Sequence, residues 1–202
     1  MRLRLMAVAA LMTGLFAAGA APASAQGFAG GGPFGGLFPK PYDFGIGPGS
    51  GRSASPVPRQ TVRYDGKHKP GTIVINTAER RLYLVQANGT ALKYGIGVGR
   101  DGFRWSGVKT ITRKAEWPGW TPPPQMLKRR PDLPRYMPGG IDNPLGARAM
   151  YLGSTLYRIH GSNEPETIGQ AVSSGCFRMT NDDVVDLYNR VNVGATVVVL
   201  NN

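Results

Sequence analysis

The run Pro118-Gly119-Trp120-Thr121-Pro122-Pro123-Pro124 fits neither a sheet interior nor a helix interior, because each proline lacks an amide donor and fixes its own φ. It marks residues 118–144 as one long loop or lid, and loops of that length within a domain tend to be functional. A second stretch, residues 26–61, is Gly/Pro-rich with no lasting period of 2 or 3.6, and reads as a disordered tether carrying Phe28, Phe34, Phe38 and Phe44. Regular structure is thereby confined to short runs within residues 62–202.

Those runs are mostly β. Residues 72–76 and 81–86 are β-branched and aromatic and suit a hairpin. Asn88-Gly89, which tolerates the positive φ angles of a type I′ turn, leads into residues 91–99, where the alternation Gly95, Gly97, Gly99 implies a strand against which something packs closely. Residues 107–117 form an imperfect strand pattern, and 149–152 and 155–159 are two short strands, the second delivering His160 at its end. After Cys176 the pattern turns helical: Thr180 and Asp183 resemble a capping box, Val184, Leu187, Tyr188 and Val191 share a face, and Gly194 ends the segment. Residues 196–200 form a closing buried strand, so the domain is mainly β with one well-signalled helix.

A length of 202 residues with 41% apolar content supports one domain plus tails. The formal charge of +12 points to a polyanionic neighbour: nucleic acid, anionic lipid or an acidic wall polymer. Nucleic acid is disfavoured, since no basic run exceeds three residues and no nucleic-acid module is recognisable. Residues 1–25 read as a secretory signal peptide: Arg2 and Arg4, an apolar span from Leu5 to Ala21, and Ala23-Ser24-Ala25 before the cut. That apolar run is too short and interrupted to remain as a membrane span. Export to the periplasm or cell envelope then sharpens the meaning of Cys176, the only cysteine, which can form no intramolecular disulfide.

The chemistry gathers in one segment. His160-Gly161-Ser162 precedes Ser173-Ser174-Gly175-Cys176-Phe177-Arg178-Met179. A thiol attacks as its thiolate, and an ordinary pKa of about 8.5 leaves it mostly protonated, so a base or cation is needed. His160 can accept the proton, and Arg178 and the following helix N-terminus would favour the negative charge if the fold brings them close. Gly175 allows a sharp turn, and the amides of Gly175 and Cys176 could form an oxyanion hole. Ser173 and Ser174 offer hydroxyls to a substrate. One Cys and one nearby His without clustered carboxylates are too few ligands for a metal, and no cofactor is called for. His68, in Lys67-His68-Lys69-Pro70, reads as solvated, and Trp117, Trp120 and Tyr136 are candidate walls of a groove. Residue chemistry alone ends at a secreted thiol acyltransferase or hydrolase.

The combination of Ile159-His160-Gly161 with Ser173-Ser174-Gly175-Cys176-Phe177-Arg178-Met179 resembles the L,D-transpeptidase, or YkuD-type, catalytic domain of bacterial cell-wall enzymes. The resemblance runs from about Gly71 to Leu200 and includes residues 99–103 and 143–148; Ser174 stands where many members carry histidine. It implies a mainly β, sandwich- or barrel-like domain with one short helix after Cys176. It also implies that Cys176 attacks a peptidoglycan tetrapeptide stem, releasing D-alanine, and that an amine acceptor resolves the thioester. By the same resemblance His160 is the base, the Gly161 carbonyl orients the imidazole, and Arg178 binds a stem carboxylate. Histidine preceding cysteine separates the chain from papain-like and NlpC-type peptidases, while sortases place their arginine further on.

Two other readings compete. A non-catalytic, basic wall-binding or envelope-tethering protein would also explain the charge and the arm. A third keeps the chemistry and changes the acceptor, to water or to an envelope protein.

Overall fold

The computed structural model describes residues 55–202; the expected leader and most of the Gly/Pro-rich arm lie outside the described residues. In chain order the strands are β1 (Gln60–Arg63), β2 (Ile73–Asn76), β3 (Arg81–Val85), β4 (Thr90–Gly95), β5 (Val98–Gly99) and β6 (Gly107–Glu116). A short helix, α1 (Pro124–Arg129), precedes β7 (Arg148–Leu152), β8 (Arg158–His160), β9 (Ala171–Ser173) and β10 (Phe177–Arg178). Helix α2 (Asn181–Arg190) and β11 (Thr196–Leu200) close the domain.

The main sheet runs β1-β4-β3-β2-β11-β6-β7-β8-β10, and β5 pairs in parallel with β9. The β-branched run of β11 makes it central: it lies parallel to β2 and antiparallel to β6, with Val197 and Val199 buried. Strand β6 belongs to both halves of the sheet. Its first part pairs with β11 and its second with β7, across a register shift between Ile111 and Arg113. At the far edge, Gly97 and Arg178 exchange backbone hydrogen bonds of 2.9 Å in both directions, joining β10 to the chain just after β4. That bridge gives the domain its barrel-like closure.

The core unites Ile73, Ile75, Leu82, Tyr94, Ile111, Met150, Leu152, Ile159, Phe177 and Leu187. Each such side chain contributes about 1.5–3 kcal/mol of burial. Ile159 and Phe177 are direct partners across β8 and β10, so those two strands are fixed from beneath and their opposite faces are free for chemistry. Helix α2 is anchored by Tyr94, whose hydroxyl donates to Asp186 at 2.7 Å, and by Arg59, which lies 2.9 Å from the same carboxylate. Thr180 caps α2, accepting the Asp183 N–H at 3.3 Å, as the sequence pattern requires. Among the described residues no helix is long and apolar enough to cross a membrane.

Several local expectations are corrected. β1 begins at Gln60, inside the segment read as tether, because it adds an edge to β4. At Asn88-Gly89 only Gly89 has a positive φ, 70°, and the Gln86 N–H reaches the Thr90 carbonyl at 2.9 Å; the turn is a three-residue loop with a left-handed glycine, not type I′. The proline-rich lid contains α1, which Pro124 can start because the first helical turn needs no amide donor there. The chain does not turn helical directly after Cys176 but first lays down β10, and α2 ends at Arg190, before Gly194. His68 is held rather than simply solvated, with Nδ1 2.7 Å from the Tyr64 hydroxyl.

Candidate functional site

Parallel pairing of β8 with β10 sets Ile159 opposite Phe177 and His160 opposite Arg178. Alternation along a strand puts Arg158 and His160 on one face and Ile159 on the other. Carrying the register one residue back places Cys176 opposite Arg158. Arg158, His160, Cys176 and Arg178 thus form a two-by-two grid on the face away from the core, and all four line one cavity of about 460 Å³. The strand pairing, not the proximity of residues in sequence, brings imidazole and thiol together.

The close approach foreseen from the alternating glycines is the device that seats the cysteine turn. A Cβ on Gly97 would meet Arg178 Cβ at 3.3 Å, and one on Gly99 would lie 3.3 Å from Gly175 Cα. Gly175 itself has φ of +110°, and a side chain there would strike Tyr157 at 2.6 Å. Its carbonyl accepts from Trp105 Nε1 at 2.9 Å, and Trp105 stacks on Tyr157 with ring centres 4.6 Å apart. The Ser173 hydroxyl donates to the Cys176 carbonyl at 2.6 Å and accepts the Gly175 N–H at 3.1 Å. Ser173 is therefore spent on the turn, although it borders the cavity, and the Gly175 N–H is committed to it. Ser174 lines the cavity.

The imidazole of His160 is buried and its Nδ1–H donates to the Gly161 carbonyl at 2.6 Å. Since a carbonyl only accepts, Nδ1 carries the proton and Nε2 keeps its lone pair. Burial drives His160 down to about 3; the charges of Arg178 and Arg158 push the same way, and the Gly161 and Pro144 carbonyls act against them. Burial also drives the Cys176 thiol upward, opposed by the charge and N–H groups of Arg158 and the charge of Arg178. The half-buried thiol lies 3.6 Å from the Leu156 carbonyl. The resting pair is accordingly neutral thiol and neutral imidazole. Arg178 is not an unpaired cation: its guanidinium holds Glu164 at 2.8 Å.

Residues 143–148 buttress the histidine. Asn143 is buried; its side chain donates to the Pro138 carbonyl at 2.8 Å and accepts from the Leu145 N–H at 2.9 Å. Asn181, at the start of α2, accepts the Ala147 N–H at 2.9 Å. That helix terminus packs against Gly146 and Gly161, on the histidine side. The cations beside the thiol are Arg158 and Arg178, not the helix end.

The lid contributes Trp120, Pro123, Gln125, Met126 and Arg129 to the cavity. It is pinned by Trp120 and Met137, which exchange backbone hydrogen bonds of 2.8 Å each, and Arg129 stands 5.5 Å over the Phe103 ring. Of the three aromatics expected to form a wall, Trp120 does so. Trp117 follows the end of β6 with φ of 39°, and Tyr136 is exposed and packs over Gly119. Sequence reasoning missed Arg158, Phe103 and Tyr157 as lining residues; for Arg158 the available signal was its spacing two residues before His160 on a strand.

A cysteine immediately before β10 and a buried histidine at the end of β8, beneath one lid, are the groups that a thiol acyl-transfer site would need. A family model, that of the L,D-transpeptidase catalytic domain, matches residues 70–199, and the chain belongs to that family. It is 40% identical over 153 residues to the probable L,D-transpeptidase ErfK/SrfK of Escherichia coli (strain K12), covering 71% of this chain and 48% of that protein. It is 38% identical over 150 residues to the probable L,D-transpeptidase YbiS of the same strain, covering 70% of this chain and 47% of that protein. The chain thus spans about half the length of these relatives. The catalytic domain of the E. faecium L,D-transpeptidase aligns over 67% of this chain and 100% of its own, with TM-score 0.52 and 20% identity. An L,D-transpeptidase from Mycobacterium smegmatis aligns over 64% of this chain and 58% of its own, with TM-score 0.52 and 17% identity. At those identities the likeness is one of fold.

Proposed function

We propose that the chain is an exported L,D-transpeptidase in which Cys176 is acylated by a peptidoglycan tetrapeptide stem. The observation that supports this reading is the cavity shared by Cys176 and His160, with the imidazole held by the Gly161 carbonyl. The thiol proton passes to His160 Nε2 as Sγ attacks the carbonyl carbon between the third stem residue and the terminal D-alanine. A C–S bond forms, and the C–N bond breaks as the proton is handed from Nε2 to the departing D-alanine amine. An acceptor amine then attacks the thioester, giving its proton to His160; a new C–N bond forms, the C–S bond breaks, and the departing Sγ takes that proton back from Nε2.

The Cys176 amide receives the developing oxyanion, while the Gly175 amide braces the turn through Ser173. Arg178, presented by its pairing with Glu164, takes a stem carboxylate, and Ser174 borders the stem. Residues 1–25 direct export, the Gly/Pro-rich stretch before β1 tethers the domain, and the excess of positive charge favours an anionic wall polymer as its surroundings. The acceptor is an amine of a second stem or of an envelope protein.

Incubation with disaccharide-tetrapeptide, with products read by mass spectrometry, tests this. Release of D-alanine with a cross-linked product supports it. Release without any amine-linked product identifies a hydrolase, and no release with wall binding intact supports a non-catalytic binder.

A further inference from the structure

Two arginines flank the thiol, and the surrounding charges differ for each. Arg178 is held at 2.8 Å by Glu164, so its charge is largely neutralised at the site. Arg158 forms no ion pair among the described residues. Its guanidinium lies 5.3 Å from the ring centre of Tyr151, its own cross-strand partner on β7, which fixes the side chain without neutralising it. Its Nε is buried and makes no hydrogen bond to the protein. A buried donor without an acceptor is costly, and that cost is relieved when negative charge appears within reach. By register the residue opposite Arg158 is Cys176, whereas Arg178 stands opposite His160.

We propose that Arg158 is the counter-cation of the Cys176 sulfur, taking up its negative charge as the thiol proton passes to His160 Nε2. The inference rests on Cys176 being the nucleophile and adds a residue outside the His, Gly, Cys and Arg motif. The charged and titratable groups around the sulfur's cavity are Arg158 and His160 on β8, Arg178 on β10 with Glu164 behind it, Tyr157 just before β8, and Arg129 of α1. Only Arg158 combines a cross-strand position opposite the sulfur with an uncommitted charge. Consistently, the charge of Arg158 favours the thiolate more than that of Arg178 does, and the charge of Arg178 does more than that of Arg158 to keep His160 neutral.

The test is the pH dependence of Cys176 alkylation by iodoacetamide in the full chain, for wild type, Arg158→Met, Arg158→Lys and Arg178→Met, with thermal melts to verify folding. Arg158→Met is expected to raise the alkylation midpoint by about one pH unit, which is about tenfold in rate at a fixed lower pH. Arg158→Lys, which keeps the charge, is expected to recover most of that loss, and Arg178→Met to move the midpoint less than Arg158→Met. Should Arg158→Met melt too low for assay, Arg158→Gln carries the same comparison with a polar, uncharged head. An unchanged midpoint in a folded charge-removing variant, or a larger shift in Arg178→Met, overturns the proposal. Iodoacetamide reads the sulfur without any stem peptide, so this outcome is independent of whether D-alanine is released.

Discussion

The imidazole of His160 donates from Nδ1 to the carbonyl oxygen of its own chain neighbour, Gly161, across 2.6 Å. The orientation of the imidazole therefore depends on the backbone of one residue that has no room for a side chain. A Cβ on Gly161 would run into Asn181 Oδ1 and come within 3.0 Å of the Ala147 amide. Gly161→Ala is expected to tilt the carbonyl and misplace Nε2, lowering kcat by on the order of 10²-fold with a smaller change in KM. Steady-state D-alanine release measures both; a variant with kcat at wild-type level would remove the orienting role of Gly161.

Neutral burial of His160 has a pH signature. The folded-state value of about 3 lies below the ordinary 6.5 of an unfolded histidine, so between these limits the unfolded chain binds the extra proton. Stability must then rise with pH from about 3 to about 6.5 and be lost as pH falls through that window. Thermal melts across the window are expected to give a steeper slope for wild type than for His160→Gln. Parallel slopes in the two proteins would contradict a buried neutral imidazole.

The lid makes a separable contribution. Trp120 lines the cavity, while its backbone is tied to Met137 by two hydrogen bonds that do not need the indole. Trp120→Ala should preserve the lid's course and remove an apolar wall, raising KM by about tenfold or more with kcat less affected. A fall confined to kcat would place Trp120 in the chemistry and not in binding.

The candidate nucleophile, the candidate base and the glycines around them could be named from the sequence, because each is a matter of residue type at short range. Gly97 and Gly99 were legible as close-approach positions, and the structure supplies their partners in Arg178 and Gly175. The parallel pairing of β8 with β10 was not legible: β10 has only two residues, and its partner lies across a 16-residue excursion whose register no local pattern encodes. With that pairing hidden, Arg158 looked like any strand arginine, and Arg178 seemed available because nothing in the sequence linked it to Glu164 in the intervening loop. Ser173 was readable as a hydroxyl near the thiol, but its commitment to Gly175 and Cys176 follows from the turn geometry alone.

The central claim is that Cys176 forms the acyl-enzyme. Intact-protein mass spectrometry after brief incubation with disaccharide-tetrapeptide, followed by peptide mapping, measures it directly. The predicted result is an adduct equal to the donor minus D-alanine, located on the peptide containing Cys176 and abolished in Cys176→Ala. D-alanine release that persists in Cys176→Ala, or an adduct mapped to another residue, would contradict it.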